Sequence, residues 1–362
     1  MPVEFIGMIR TQPGSEADGL ADATSDELID PPYIGEFARA HEASGFDKVL
    51  IGYNSTGPDG FAVAAYAAAQ TTRLGFLIAH RPGFVAPTLA ARKALTLDYL
   101  TGGRIALHII TGGSDAEQQR DGDWLDHDTR YRRTDEYLTI LRGVLDNLEP
   151  FDYEGEFYRV RRAFSAVRPV SGRPIPIYFG GSSGPAITVG AKHSDVYALF
   201  GEPLAAIRER IAAVRAAAPP GRQPRFSVSL RPIVGATEAE AWEKAHDYLA
   251  RIVASRGGVT SAPAARPQAV GTQRLLEFAA RQERYDKCLW TLIAAATGAY
   301  GNTTALVGTA EQVADSLLDY YDVGATTLLI RGFDPHQDAI DYGRGVIPLV
   351  REGVARREAA GR

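Results

Sequence analysis

Eight short apolar runs, with helical patterns between them, constrain this chain more than any other feature. They are Val3–Met8, Lys48–Gly52, Leu74–Ala79, Arg104–Thr111, Ile175–Phe179, Asp195–Phe200, Phe226–Val234 and Thr326–Ile330. Most are continuously apolar rather than alternating, the pattern of parallel strands buried on both faces. Helical periodicity fills Pro32–Ser44, Gly60–Thr72, Pro87–Leu100, Tyr131–Leu148, Gly184–His193, Pro203–Ala217, Glu238–Ser255 and Ala310–Val323. Such alternation leaves two architectures, an open doubly wound sheet or a closed parallel barrel. The first run lacks the G-x-G-x-x-G turn that usually follows the first strand of a dinucleotide-binding sheet. The pattern therefore predicts an α/β fold, a (β/α)8 TIM barrel, spanning residues 1–362 as one domain. Such barrels run past ~250 residues when they carry insertions.

Two stretches break the alternation. Segment 112–130 (GGSDAEQQRDGDWLDHDTR) is polar and follows the fourth run, and segment 256–304, rich in Gly, Ala and Pro with one helical piece, lies between the last two. Loops after barrel strands open onto the face that carries the site, so both insertions are expected above it, the second as a mobile lid. An ordinary surface excursion is the alternative for the second.

Charge narrows the partners. The chain carries 39 Lys and Arg against 44 Asp and Glu, a net charge of −5, with basic residues scattered rather than clustered. No electrostatic footprint for nucleic acid is present. A single cysteine, Cys288, cannot form an intramolecular disulfide or a multi-thiolate metal site, and is expected in the core of a protein from a reducing compartment. The first residues, MPVEFIGMIRTQPG, do not read as a secretion signal, and no stretch approaches ~18 uncharged apolar residues. A cytoplasmic, non-membrane protein without a metal is expected.

Chemistry concentrates in a few places. Gly180-Gly181-Ser182-Ser183-Gly184 falls where a strand turns into a helix, so free backbone N–H groups, the helix dipole and two hydroxyls can hold a phosphate dianion. Taken alone, the same residues also read as a serine N-cap with turn glycines. His127 and Tyr131 are four residues apart, on one face of a helix start.

Residues 80–113, HRPGFVAPTLAARKALTLDYLTGGRIALHIITGG, carry a pattern, RPG…PT.AAR…TLD.L..GR and then TGG, that resembles the luciferase-like flavin monooxygenases, particularly the alkanesulfonate monooxygenase branch. The resemblance continues through LDHDTRY (125–131), YFGGSSGPA (178–186), GEP (201–203) and TALVG (304–308). It implies reduced FMN as cofactor and O2 as co-substrate, with His80, Thr111, His127, Tyr131, Gly181, Ser182 and Ser183 as flavin contacts. It further implies a separate NAD(P)H-dependent flavin reductase, a homodimer or tetramer, and oxidative cleavage of an organosulfonate C–S bond to an aldehyde and sulfite.

Departures from that branch redirect the substrate. Gly57 stands where the branch has a cysteine, Ser229-Leu230-Arg231 replaces an Arg-Leu-His triplet, and Phe333 replaces a tyrosine. Arg331 replaces a small polar residue, and a loop arginine has no counterpart in AATGAYGN (295–302). Arg10, Arg231 and Arg331 are therefore expected on one mouth, where guanidinium forks suit a sulfonate; singly, each is more often a surface ion pair. Arg231, Arg331 and His336 are the expected catalytic residues, His336 after a one-residue slip against a family histidine. Asn54, Ser55, His80 and Ser229 add polarity, which points to a hydroxylated sulfonate such as the sulfosugar sulfoquinovose. Three alternatives stay open: a non-sulfonate substrate such as a sulfone, amine or aldehyde; deazaflavin-dependent hydride transfer; and flavin binding without turnover.

Overall fold

A computed structural model describes residues 2–18, 28–256, 267–299 and 304–361. All eight apolar runs become strands of one barrel: β1 (Glu4–Ile9), β2 (Lys48–Ile51), β3 (Gly75–His80), β4 (Ile105–Ile110), β5 (Ile177–Gly180), β6 (Val196–Phe200), β7 (Arg225–Val234) and β8 (Ala325–Ile330). Every neighbouring pair is parallel, and β8 pairs with both β7 and β1, which closes the ring. Outside it pack α1 (Pro31–Ala43), α2 (Gly60–Ala69), α3 (Pro87–Thr101), α4 (His127–Asp146), α5 (Gly184–His193), α6 (Leu204–Ala217), α7 (Glu238–Ser255) and α8 (Ala310–Asp322). The fold is a (β/α)8 TIM barrel.

Local chemistry sets the helix limits. Asp30 caps α1 by accepting from Tyr33 N, with Pro31 at the first helical position, where a missing N–H costs nothing. Asp126 accepts from Thr129 N at 2.9 Å, so α4 begins at His127, four residues before its apolar periodicity does. Gly102, at φ 69°, ends α3 in the left-handed conformation that glycine adopts without steric cost.

Two apolar layers follow from strand parity. Residues facing the helices join the main core, whereas Ile6, Leu77, Ala106, Tyr178, Val196 and Leu329 point inward and fill the barrel. Below them Glu4 takes Lys48, the Tyr178 hydroxyl at 2.6 Å and the Thr327 hydroxyl at 3.2 Å, which plugs the amino-terminal mouth with a satisfied polar network. Cys288 is buried, and burial pushes its thiol up to about 11.

Three additions go beyond the eight strands and eight helices of the barrel. An antiparallel hairpin, Phe151–Glu154 with Arg159–Ala163, follows α4. Helices Pro335–Arg344 and Val346–Ala359 complete the carboxyl end. The third concerns β7, whose first half belongs to the barrel while its second half pairs with Ala305–Gly308, which in turn pairs with Leu289–Trp290. Segment 256–304 is thus more than one helical piece: its described part holds helices Val270–Arg281 and Leu292–Thr297 and two short strands. Residues 257–266 and 300–303 of the expected lid lie outside the described residues. Among the described residues no helix is long and apolar enough to cross a membrane.

Candidate active site

Inward-facing positions recur every second residue along a strand. Two residues beyond the sealed inner layer, toward the carboxyl ends, the inward positions hold Met8, His108, Gly180, Ala198 and Arg331, with Ser229 beside them on β7. All six are half-buried, while the residues before them on their strands, Gly7, Leu107, Phe179, Tyr197, Val228 and Ile330, are buried. Small and polar side chains above an apolar floor make a cup in the barrel mouth.

One wall of the cup is the turn from β5 into α5. Ser183 is the N-cap of α5, its hydroxyl accepting from Ala186 N at 3.3 Å. That is the capping arrangement; with Pro185 lacking an N–H and Ala186 N–H taken by the cap, Gly184 carries the N–H left at the start of the helix, next to the Gly181–Ser183 turn. Gly181 is obligatory: a Cβ there would lie 2.5 Å from the Ala186 Cβ and 3.1 Å from the Tyr131 hydroxyl. Tyr131 reaches across from α4, within hydrogen-bonding contact of Ser183 and Thr111, and burial holds its phenol above the ordinary value. The His127 ring meets Tyr131 edge-on at 4.9 Å, and its Nδ1 lies 2.6 Å from Asp128. Thr111 is buried, 3.3 Å from the Thr134 hydroxyl of α4. Five expected contacts, Thr111, His127, Tyr131, Gly181 and Ser183, therefore share one corner. Ser182 joins them from the same turn, 3.1 Å from where a Cβ on Gly271 would stand, so helix Val270–Arg281 begins directly against the loop.

His80 is not in that corner. It follows the inward Ala79, so it faces outward, where its Nε2 lies 2.6 Å from the Tyr137 hydroxyl and its ring meets Phe61 edge-on. Burial lowers it to about 4, which keeps it neutral as a packing group between β3, α2 and α4. Its contacts are therefore with Tyr137 and Phe61, away from the corner that Thr111 and Tyr131 form.

The opposite wall is cationic. β1 lies four strands from β5 around the ring, and Arg10 follows it; Arg231 lies on β7 and Arg331 just beyond β8. These three do converge, around a carboxylate that sequence reasoning missed. Glu16, buried in a short turn after β1, takes the Arg231 guanidinium in an ion pair and lies 3.5 Å from Arg331 Nη1. Arg231 also donates to Gly332 O at 2.8 Å and stacks over Phe333 at 4.0 Å. Burial would raise Glu16, but Arg231, Arg331 and Arg10 overcome it and hold the carboxyl at about 2. Arg331 is held down at about 10 by burial and by the like charges of Arg231 and Arg10, with Glu16 opposing. A desolvated guanidinium crowded by two others gains from any further anion that reaches it.

The other expected substrate residues are placed differently. Ser229 lies in the cup, but Asn54 is exposed and accepts from Thr56 N and Thr56 Oγ1, each at 3.0 Å, closing its own turn. His336 stands one layer outside the mouth, its ring 6.2 Å from Tyr33 and 5.6 Å from Phe37 of α1, with Nε2 3.7 Å from Glu36. Above the cup, segment 112–130 is tied down by Arg81 to Glu117 at 2.6 Å and Arg130 to Asp115 at 2.8 Å. Gln268 joins it to the second insertion by accepting from Asp115 N at 2.7 Å. Among the described residues no cluster of three or more His, Cys, Asp or Glu is arranged to hold a metal ion.

A sequence model of the family described as luciferase-like monooxygenase matches residues 3–327. Among solved structures, a riboflavin lyase holding modified FMN and substrate riboflavin superposes with a TM-score of 0.78 at 21% identity, over 97% of this chain and 92% of that one. An EDTA monooxygenase from Chelativorans sp. BNC1 gives 0.72 at 18% identity, over 97% and 94%. An F420-dependent secondary alcohol dehydrogenase gives 0.66 at 16%, over 97% and 99%. At these identities the likeness is one of fold.

Proposed function

Since this chain belongs to the luciferase-like monooxygenase family, we propose that it is the oxygenase of a two-component system that takes reduced FMN from an NAD(P)H-dependent flavin reductase and uses O2 to cleave the C–S bond of an organosulfonate. The observation that carries this reading is a pair of features on opposite sides of one mouth, a serine-capped helix start at the Gly181–Ser183 turn after β5, and the Arg10, Arg231 and Arg331 group beside β1. One suits a flavin phosphate, the other a sulfonate.

Residues divide the work accordingly. The Gly184 N–H, the backbone of the Gly181–Ser183 turn and the Ser182 and Ser183 hydroxyls hold the phosphate, and Tyr131, fixed by Thr111 and Ser183, walls that corner. Reduced flavin supplies the two electrons with which O2 gives one oxygen atom to substrate and the other to water. Oxygenation at the carbon bearing sulfur leaves a hydroxysulfonate, which collapses to an aldehyde and sulfite. Arg331, with Arg231 and Arg10 behind it, fixes the sulfonate so that this carbon faces the cup, and Ser229 is the polar contact for a hydroxylated substrate such as a sulfosugar. Helix Val270–Arg281 and its flanks exclude water from above.

Product analysis tests the whole reading. With a flavin reductase, NADH and a panel of sulfonates, mass spectrometry is expected to find aldehyde and sulfite in equal amounts from at least one sulfonate. Turnover of a sulfone, amine or aldehyde with no sulfite from any sulfonate would transfer the chain to another substrate class. Binding of F420 in place of FMN, read by absorbance, would transfer it to hydride chemistry.

Two narrower results are expected. Ser182→Ala with Ser183→Ala should weaken reduced-FMN binding about tenfold or more at unchanged secondary structure, since a hydrogen bond to a charged group is worth roughly 1.5–3 kcal/mol. Unchanged affinity would remove the phosphate from that turn. Limited proteolysis should cut first within 256–304, and FMN plus a turned-over sulfonate should slow that cut severalfold; a cut rate indifferent to ligand would reduce the segment to a surface excursion.

A further inference from the structure

We propose that His108 is the neutral hydrogen-bonding group on the floor of the cup and positions the heteroaromatic ring of the flavin, an inference that rests on the flavin reading above. His108 is the polar member of an otherwise apolar strand, IALHII, and it faces inward between Ala106 and Ile110. The Cε1–Nε2 edge of its ring lies beside Gly180, where an added Cβ would stand 3.4 Å from both atoms. Its Nδ1 is buried and has no hydrogen-bond partner.

Three other packed histidines do not share that condition, and in the one that does, His336, the unpaired Nε2 has the Glu36 carboxylate 3.7 Å away. His41 Nδ1 meets Phe37 O at 2.9 Å, His80 meets Tyr137, and His193 lies 2.5 Å from Asp135. A histidine kept for packing is satisfied by the protein, because an unpaired buried polar atom is costly. His108 is left for something the cup receives. The quarter of the mouth above it has the same character: Ser55 Oγ, Arg81 Nε and Nη1, and both amide atoms of Gln118 are buried without partners, on the loops after β2, β3 and β4. Unsatisfied groups gathered on one side indicate a polar edge that docks there.

Position and charge say which edge. Gly180 directly precedes the Gly181–Ser183 turn, so a ligand anchored there by its phosphate must pass over Gly180 to enter the cup, and the missing side chain at 180 is what leaves the imidazole uncovered. Burial lowers His108 to about 4, so at neutral pH the ring is uncharged, with one nitrogen donating and the other accepting. That suits the carbonyl and N–H groups along the flavin's pyrimidine edge and offers nothing special to a sulfonate, which the arginines across the mouth attract.

The test uses the whole chain with oxidised FMN as the probe. Imidazole nitrogen resonances are recorded on histidine-labelled protein, His108 being assigned from the spectrum of H108N, and FMN affinity is measured by fluorescence quenching for wild type, H108N and H108L. FMN is expected to shift the His108 nitrogens while inorganic phosphate leaves them in place. H108L should bind FMN about tenfold more weakly, and H108N, which retains a donor and an acceptor, should recover most of that loss. If FMN binds wild type yet the His108 nitrogens do not move, or if H108L binds as tightly as wild type, the inference falls and the flavin reading stands. If wild type binds no FMN at all, both fall. Should H108L fail to fold, the nitrogen shifts decide alone.

Discussion

Glu16→Ala is expected to destabilise the protein by about 3–5 kcal/mol at pH 7, the range seen when one partner of a buried ion pair is removed. The carboxylate is 7% exposed and sits between the Arg231 and Arg331 guanidiniums, so its loss leaves buried positive charge uncompensated. Its pH dependence is the sharper readout. The folded carboxyl is held at about 2 against 4.5 for an unperturbed glutamate, so its contribution is fully present above about pH 4.5 and is lost as pH falls toward 2. Urea unfolding of wild type and variant should therefore show a gap that is constant from pH 7 to 5 and narrows below 4.5. A gap under about 1 kcal/mol at pH 7 would mean Glu16 is only another surface-type pair. Glu16→Gln, which keeps an acceptor for Arg231, should lose less.

Arg331→Ala should lower kcat/KM for the true sulfonate about a hundredfold or more, because truncating one member of a buried hydrogen-bonded charge contact costs about 2–5 kcal/mol. Arg331→Lys keeps the charge and loses the fork, so it should fall as well, though less. Reduced-FMN affinity should change little in either, the Gly181–Ser183 turn proposed for the phosphate following β5, far around the ring. Wild-type kcat/KM in the alanine variant would remove Arg331 from substrate binding. A cycle with Arg231→Lys carries a warning that only the structure supplies. Both guanidiniums share Glu16, so their stability effects should be coupled by roughly 0.5–3 kcal/mol with no substrate present. Only coupling in kcat/KM, measured on variants of equal folded fraction, reports a shared ligand.

The barrel was legible because eight buried parallel strands leave eight continuous apolar runs, and all eight lie within a residue or two of their observed limits. Shorter or more polar strands leave no such mark. The hairpin FDYE and RVRRA exposes every second residue or more, and its charged composition hid it. Ala305–Gly308 is four residues long and was read only as part of a resemblance. In the site, the nearness of the Gly181–Ser183 turn and the His127–Tyr131 pair was readable because the groups of each are neighbours in sequence. His80 packs against Tyr137 and Phe61, partners that a continuously apolar strand does not reveal. Glu16 had no readable signal: PGSEADG carries no periodicity, and Arg231, its partner, is 215 residues away. His108 did have one, a single polar residue at an inward position of an apolar strand.

Strand β7 is ten residues long and serves two sheets at once. Its register against Ala305–Gly308 begins at Arg231, whose N–H donates to Thr304 O at 3.0 Å while its side chain reaches Glu16. Anyone hoping to retarget this enzyme by grafting the 256–304 segment of a relative would therefore not be exchanging a loop. A transplant that altered the pairing by one residue would turn alternate side chains of that half-strand over, arginine included. A deletion would remove Leu289–Trp290 and leave Ala305–Gly308 as an open edge, inviting other chains to pair with it. The workable unit of exchange is the segment together with residues 225–234 and the turn around Glu16, three pieces far apart in the chain that must be inherited together.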